Sequence, residues 1–158
     1  MGSVLTVQEL VRIREQLRLE KKTVVFTNGC FDIIHRGHVE YLTKARSFGD
    51  TLIVGVNTDR SVREIKGAHR PIMDQDDRAT IVANLVPVDY VCLFDEPTPQ
   101  NIITALVPDI LVKGADWKIE DVVGKDVVER AGGRVATIEY LQNKSSSGII
   151  QLILDRFS

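Results

Sequence analysis

The sequence predicts an α/β protein with a doubly wound, parallel sheet of five strands and helices on both faces. Short β-rich runs alternate with helical patterns along the chain after residue 21. The runs at 24–26 and 52–54 are apolar on consecutive residues, which indicates strands that are covered on both faces. This repetition implies right-handed crossovers, and ligands of such sheets bind beyond the carboxyl ends of the strands.

Each predicted element follows from the residue pattern. Thr6 and Glu9 have capping-box spacing, and apolar residues then recur at helical intervals, which predicts a first helix over about 6–21. Gly49 follows the second helical pattern, where a left-handed C-cap is expected. Strands are predicted at 23–27, 51–56, 90–94, 110–112 and 135–138, and further helices at about 37–48, 59–65, 74–86, 99–107, 119–131 and 146–156.

Composition excludes several classes of protein. The 158 residues are 44% hydrophobic and 27% charged, which suits one domain with a sizeable core. The net charge of −2 argues against a general electrostatic grip on nucleic acid. No apolar run reaches the roughly 20 residues that span a bilayer, and no signal peptide is recognisable. Cys30 and Cys92 form no disulfide framework, so we expect a cytoplasmic protein without a membrane or nucleic-acid partner.

The strongest chemical signal is a histidine pair just after the first predicted strand. His35 and His38 are two of the three histidines in the chain, and Gly37 lies between them. At the start of a helix, this spacing places both imidazoles beside free backbone amides and the positive end of the helix dipole. The preceding Asn28 and Gly29 allow the backbone to approach a ligand closely. The pattern predicts a compact anion site suited to phosphate.

Two other interpretations of this segment remain. A zinc site would need a third His or a nearby Cys in helix register with this pair. No His or Cys of the sequence has that register. Cys30 is a candidate nucleophile that His35 or His38 would activate. Its position among apolar strand residues instead favours a small buried side chain.

Two polar segments each have a structural and a functional interpretation. Ser145, Ser146 and Ser147 precede the last helical pattern, either as an N-cap or as a cradle for phosphates. The segment from Lys66 to Arg70 carries two cations and a glycine. It is either a solvated loop or a loop that closes on substrate beside a phosphate site.

Four single residues also stand out. Lys113 ends an apolar strand, where a charge is rare unless it is paired. Asp116 is either the partner of Lys113 or a contact for a ribose or a metal-bound water. Arg78 is either a solvated helix residue or a support for the site. Trp117, the only tryptophan, is equally compatible with a core, lid or base-stacking position.

The segment from Gly29 to His38 resembles the HxGH signature of the cytidylyltransferase-like nucleotidyltransferases. The similarity continues along almost the whole chain after Lys21. The stretch 54–59 resembles the family's second strand and the residues that end it. The stretches that resemble the ADP-heptose synthase branch of that family are 66–67, 70–71, 112–117 and 145–150. The choline- and glycerol-phosphate branches carry Arg-Thr-x-Gly before the last serine cluster. This chain reads Tyr-Leu-Gln-Asn at 140–143, which argues against a simple cytidylyltransferase.

The resemblance implies a Rossmann-like single nucleotidyltransferase domain over 1–158, with an N-terminal helix at 1–21 and the catalytic core at 22–158. It implies transfer of AMP from ATP to D-glycero-D-manno-heptose 1-phosphate, without a covalent enzyme intermediate, in a homo-oligomer that is expected to be a dimer. Mg²⁺ held mainly by the nucleotide phosphates is the implied cofactor, with no protein metal ligand. The alternatives are a cytidylyltransferase for glycerol phosphate or another alcohol phosphate, and a non-catalytic nucleotide-binding regulatory module.

The same resemblance divides the expected site into three groups. The catalytic residues are His35, His38 and Lys66. The substrate-binding residues are Asp32, Lys66 and Arg70. The nucleotide-binding residues are Asn28, Gly29, Cys30, Phe31, Gly37, His38, Asn57, Asp59, Arg78, Lys113, Gly114, Asp116, Ser145, Ser146 and Ser147.

Overall fold

In the part of the chain that the computed structural model describes, residues 1–142 and 144–158, six parallel strands form one sheet. The spatial order is β1-β4-β3-β2-β5-β6. The strands are β1 (Ser3–Val4), β2 (Val24–Gly29), β3 (Thr51–Asn57), β4 (Tyr90–Phe94), β5 (Ile110–Gly114) and β6 (Arg134–Ile138). Every residue of β3 is buried, in agreement with its consecutive apolar pattern.

Helices cover both faces of the sheet, as predicted. They are α1 (Val7–Leu19), α2 (Arg36–Arg46), α3 (Asp59–Lys66), α4 (Gln75–Ala83), α5 (Gln100–Leu106), α6 (Lys125–Arg130) and α7 (Ser146–Phe157). One buried cluster contains Leu42 of α2 and Val82 of α4. The other contains Leu10 of α1, Ile103 of α5 and Val128 of α6. The doubly wound α/β class is therefore confirmed.

The sheet has one strand more than the five predicted. β1 is only two residues long and carries no β-rich pattern, so the sequence did not indicate it. It is held by its neighbours, since Ser3 pairs with Tyr90 at the edge of β4. The backbone N–H of Gly2 also donates to the carbonyl of Ala83 at 2.8 Å. Tertiary pairing, rather than local propensity, creates this edge strand.

Two glycines behave differently from the sequence expectation. The expected helix over 119–131 is interrupted at Gly124, which has a φ of +87°, and α6 begins only after it. Gly49 does not adopt a left-handed cap, because α2 already ends at Arg46. A Cβ at Gly49 would lie 2.7 Å from a methyl group of Val25. This glycine is therefore needed for close packing and not for a positive φ.

The first helix is joined to the sheet by an ion pair whose arginine is buried. The Nη2 atom of Arg14 lies 2.9 Å from Oδ1 of Asp109, and the Arg14 side chain is 5% exposed. The second oxygen of Asp109 accepts from the backbone N–H of Val24 at 2.7 Å. α1 and the start of β2 are thus joined through one carboxylate.

The strand order reverses at β2, which lies between β3 and β5. Such a switch point opens a crevice at the carboxyl ends of the strands on either side of the reversal. Asn28 and Gly29 of β2 and Lys113 and Gly114 of β5 reach this edge. Within the described residues, no helix is long and apolar enough to cross a membrane.

We predict that Leu10→Ala lowers the free energy of unfolding by about 2–5 kcal/mol, because Leu10 is fully buried in α1. Leu19→Ala in the same helix is the matched control, since Leu19 is 81% exposed. Its expected effect is within about 0.5 kcal/mol. Urea unfolding measures both changes. Equal, small effects would mean that α1 does not contribute to the core.

Candidate active site at the carboxyl edge of the sheet

A cavity of about 670 Å³ lies at the carboxyl edge of the sheet, around the switch point. It brings together most of the residues that the sequence singled out. Those that line it are Asn28, Gly29, Cys30, Phe31, Asp32, His35, Gly37, His38, Asn57, Lys66, Arg70, Lys113, Asp116, Ser145, Ser146 and Ser147.

The two histidines hold each other at the start of α2. His35 is the N-cap, and its Nδ1 accepts from the backbone N–H of Gly37 at 3.1 Å. Nδ1 of His38 accepts from the backbone N–H of His35 at 3.4 Å. The rings are stacked, with their centroids 3.9 Å apart. A Cβ at Gly37 would lie 2.9 Å from the His35 ring, so the glycine of the motif leaves room for this ring.

The environment keeps both imidazoles uncharged. Burial, and then the charges of His35 and Lys66, lower the pKa of His38 to about 4. Burial and the charge of Lys144 lower the pKa of His35. A neutral imidazole whose Nδ1 accepts a hydrogen bond carries its proton on Nε2. The pair therefore offers two Nε2–H donors to a ligand.

The segment between β2 and α2 is strained and tightly anchored. Phe31 and Ile33 have φ values of +50° and +53°, which are uncommon for residues other than glycine. The carboxylate of Asp32, between them, accepts from Nε of Arg70 at 2.8 Å and from the N–H groups of Ile72 and Met73 at 2.9 and 3.0 Å. Burial would raise the Asp32 pKa, but these donors together lower it.

This geometry corrects the expected role of Asp32. Its side chain is fully buried, and three protein donors already occupy its oxygens. The carboxylate therefore positions the loop that carries Arg70 and does not present itself to a sugar hydroxyl. Arg70 lines the cavity, and its Nη1 lies 3.4 Å from the hydroxyl of Ser147.

Arg78 supports the site from behind the cavity wall. Its guanidinium is fully buried and donates to the carbonyls of Cys30, Asn57 and Met73 at 2.6, 2.8 and 3.0 Å. It also pairs with the carboxylate of Asp59 at 2.7 Å. Neither Arg78 nor Asp59 lines the cavity. Arg78 thus has the supporting position that the sequence offered as one interpretation, and this geometry does not favour the direct nucleotide contact expected of these two residues.

Lys113 and Asn28 bridge the switch point between β5 and β2. The ammonium of Lys113 donates to the side-chain oxygen of Asn28, and Lys113 is 9% exposed. Asp116, the partner suggested by the sequence, forms no ion pair with it among the described residues. Burial beside a neutral amide lowers the pKa of Lys113 to about 8. A cation without a countercharge thus faces the cavity.

The three serines at the start of α7 have different partners. Ser145 is the N-cap and accepts from the N–H of Gly148 at 3.0 Å, which is the structural interpretation. The hydroxyl of Ser146 donates to the carbonyl of Asp32 and so ties α7 to the strained segment. All three serines line the cavity, which leaves the phosphate cradle as a prediction.

Two more sequence interpretations concern metals and nucleophiles. No cluster of three His, Cys, Asp or Glu suited to a metal occurs among residues 1–142 and 144–158. Asp116 lines the cavity and is exposed, and its contact with a ribose or a metal-bound water stays a prediction. Burial raises the pKa of the Cys30 thiol, which disfavours the nucleophilic thiolate.

Sequence reasoning missed the wall that follows β6. Tyr140, Leu141 and Lys144 line the cavity, and the Tyr140 ring stacks on Tyr41 at 5.7 Å. A Cβ on Gly114 would collide with the Tyr140 ring, so Gly114 lies beneath that ring and does not line the cavity. The rule that ligands bind beyond strand ends is the signal that points to these residues. Trp117, 49% exposed, also lines the cavity.

Five further lining residues were not expected in the site from the sequence. Three of them follow β4, and the other two are apolar residues elsewhere in the chain: Pro97, Thr98 and Pro99, with Ile65 and Val123.

Residues 26–151 match the family model described as cytidylyltransferase-like. The chain belongs to this family, and its class is nucleotidyltransferase. It is 54% identical over 141 residues to the bifunctional protein HldE of Trichlorobacter lovleyi, covering 89% of this chain and 29% of that protein. It is 57% identical over 136 residues to HldE of Citrifermentans bemidjiense, covering 86% and 28%. The chain thus spans about three tenths of the length of these relatives.

Solved structures agree with the fold. A lipopolysaccharide core biosynthesis protein from Thermoplasma volcanium superposes with a TM-score of 0.63 at 28% identity, covering 78% of this chain and 99% of that one. A pantoate-beta-alanine ligase from Francisella tularensis has a TM-score of 0.62 at 15% identity, covering 98% and 80%. The ligase shares the fold with this chain.

We predict that His38 stays uncharged at pH 6 and gains its proton only near pH 4, because its surroundings disfavour the charged ring. The folded-state pKa lies below the ordinary value of 6.5, so protonation favours the unfolded chain. The stability associated with the neutral ring is present above pH 6.5 and is lost as pH falls through about 4. NMR titration of the ring protons measures this, and a midpoint near 6.5 would contradict the buried placement.

Proposed function

We propose that the chain transfers AMP from ATP to D-glycero-D-manno-heptose 1-phosphate and releases pyrophosphate. The observation that carries the proposal is the neutral, stacked pair His35 and His38, both of which line the cavity and keep Nδ1 occupied by backbone N–H groups. N–H donors held in place before the reaction suit a triphosphate, because they stabilise the charge that develops on its oxygens. The HldE relatives and the lipopolysaccharide core biosynthesis protein support a sugar phosphate as the acceptor.

The proposed chemistry needs positioning and not a protein nucleophile. An oxygen of the sugar phosphate attacks the α-phosphorus of ATP in line. The bond to the bridging oxygen breaks, and its electron pair leaves with pyrophosphate. His38 and His35 donate to the phosphate oxygens, and the first turn of α2 adds backbone N–H groups and the positive end of its dipole. Lys66 and Arg70, at the cavity wall, are the cations proposed to meet the acceptor phosphate.

Lys113 is the cation that the proposal places at the switch point. Its neighbour Asn28 is neutral, so its charge is not compensated within the cavity wall. A bound phosphate supplies the missing negative charge and raises the pKa of Lys113 from about 8. Nucleotide binding at pH 8 to 9 is therefore expected to take up a proton.

We also propose that Mg²⁺ enters with the triphosphate. Asp32 and Asp116 are the carboxylates of the described cavity wall, and the first is fully buried and accepts from three protein donors. Asp116 alone would hold the hydrated ion, which fits a cation that is bound mostly by substrate oxygens and water. When bound, Mg²⁺ neutralises charge on the phosphates. The homodimer implied by the resemblance stays a prediction.

The test of this function is pyrophosphate release with pairs of substrates. ATP with the heptose 1-phosphate is expected to react rapidly, and CTP with glycerol phosphate very little. His38→Ala is the control for the site, with turnover expected to fall roughly 10²–10³-fold because one preorganised donor is lost. The reverse preference would indicate the cytidylyltransferase alternative. Nucleotide binding without release from any pair would indicate a regulatory module.

We predict that Lys113→Met stabilises the protein at pH 7 while weakening ATP binding. The charged form of Lys113 is disfavoured by burial, so the folded chain is penalised below about pH 8 and the penalty disappears as pH rises towards 10.5. The expected gain at pH 7 is about 1–3 kcal/mol. Thermal unfolding and calorimetric titration with ATP measure the two effects.

The matched control for this variant is Lys118→Met, at an exposed position outside the cavity wall. Its stability is expected to change by less than about 0.5 kcal/mol and its ATP affinity to stay unchanged. A Lys113→Met protein that is less stable at pH 7 would contradict the buried, uncompensated charge. Unchanged ATP affinity would contradict the nucleotide contact.

A further inference from the structure

Lys144 occupies the point where two helices begin at the cavity. It directly precedes Ser145, the N-cap of α7, and lines the cavity with His35. A Cβ placed on Gly37, in the first turn of α2, would lie 3.3 Å from the Cβ of Lys144. The Cβ of Lys144 therefore lies beside the first turn of α2, and its backbone leads into the N-cap of α7.

In the protein alone, Lys144 is an exposed cation beside two helix N-termini. A cation beside a helix N-terminus opposes the helix dipole, and here two helices of 11 and 12 residues present that end. The charge of Lys144 also disfavours protonation of His35. Among the described residues, no carboxylate forms an ion pair with Lys144. An anionic ligand would be attracted both by the charge of Lys144 and by the positive ends of the two helices.

Resting on the proposed function, we propose that Lys144 binds the phosphate chain of the nucleotide and holds the departing pyrophosphate between the first turns of α2 and α7. In the reaction, pyrophosphate gains the electron pair of the broken P–O bond, so negative charge grows at its bridging oxygen. A cation beside that group stabilises the transition state more than the ground state. Arg70 approaches the first turn of α7 through Ser147, which provides a second cation for the same group.

Lys144 is expected to contact the phosphate chain of the nucleotide and not its nucleoside. Lys144 is expected to contribute to the binding of ATP and of pyrophosphate, which share the β- and γ-phosphates or their equivalents. It is not expected to contribute to the binding of AMP, which lacks them. This difference distinguishes a contact with the leaving group from a positive charge that attracts every anion alike, AMP included.

The experiment is calorimetric titration of the full chain with ATP, pyrophosphate and AMP, each in the presence of Mg²⁺. Lys144→Gln is expected to weaken ATP and pyrophosphate binding about tenfold, since one charge-assisted contact is lost, and AMP binding less than about twofold. Lys144→Arg keeps the charge and is expected to retain affinity within about threefold. Lys118→Gln removes the same charge from an exposed position outside the cavity wall and is expected to match the wild-type chain.

A second measurement does not depend on nucleotide. NMR titration is expected to show a higher pKa for His35 in Lys144→Gln than in the wild-type chain, because a neighbouring positive charge is removed. An unchanged His35 pKa, unchanged pyrophosphate affinity, or equal losses for AMP and pyrophosphate would each overturn the proposal for Lys144. If the wild-type chain binds ATP and pyrophosphate but Lys144→Gln binds them equally well, only this proposal fails. A wild-type chain that binds neither ligand would overturn the proposed function as well.

Discussion

The buried guanidinium of Arg78 is the interaction on which the architecture of the site depends. It joins the carbonyls that end β2 and β3 to the start of α4 and to Asp59 in the first turn of α3. Its side chain is fully buried, so water does not replace these donors. Without it, three carbonyls and the partly exposed carboxylate of Asp59 would lose this donor, a loss of about 3–5 kcal/mol. The cavity wall is thus positioned by a residue that does not line it.

A second buried charge, the carboxylate of Asp32, positions the segments that line the cavity. Asp32 holds the loop of Arg70, and the hydroxyl of Ser146 holds the carbonyl of Asp32. These bonds keep the backbone at Phe31 and Ile33 in the left-handed region, which is unfavourable without such support. The strained segment leads directly into α2. The histidine donors are therefore oriented before any ligand arrives, which is the arrangement that electrostatic catalysis requires.

Binding and stability make opposite demands on this edge of the sheet. Lys113 is buried beside a neutral amide, and Lys144 lies at the positive ends of two helices. The buried charge of Lys113 opposes folding in the absence of an anion. A triphosphate provides the compensating charge, so binding energy offsets a cost that the folded chain already carries. The neutral state of His35 and His38 limits that cost, because two charged rings 3.9 Å apart would repel each other.

The alternation of strands and helices, the two covered faces and the histidine pair at a strand end follow from local sequence patterns, because these features depend on residues close together in the chain. The partners of the charged groups depend on how distant segments pack. Lys113 bonds to Asn28, 85 residues away, and not to Asp116, three residues away. Lys144 meets the start of α2, and β1 exists only because β4 pairs with it. Such contacts join segments that are distant in sequence, so the packing of the whole sheet, and not a local pattern, selects them.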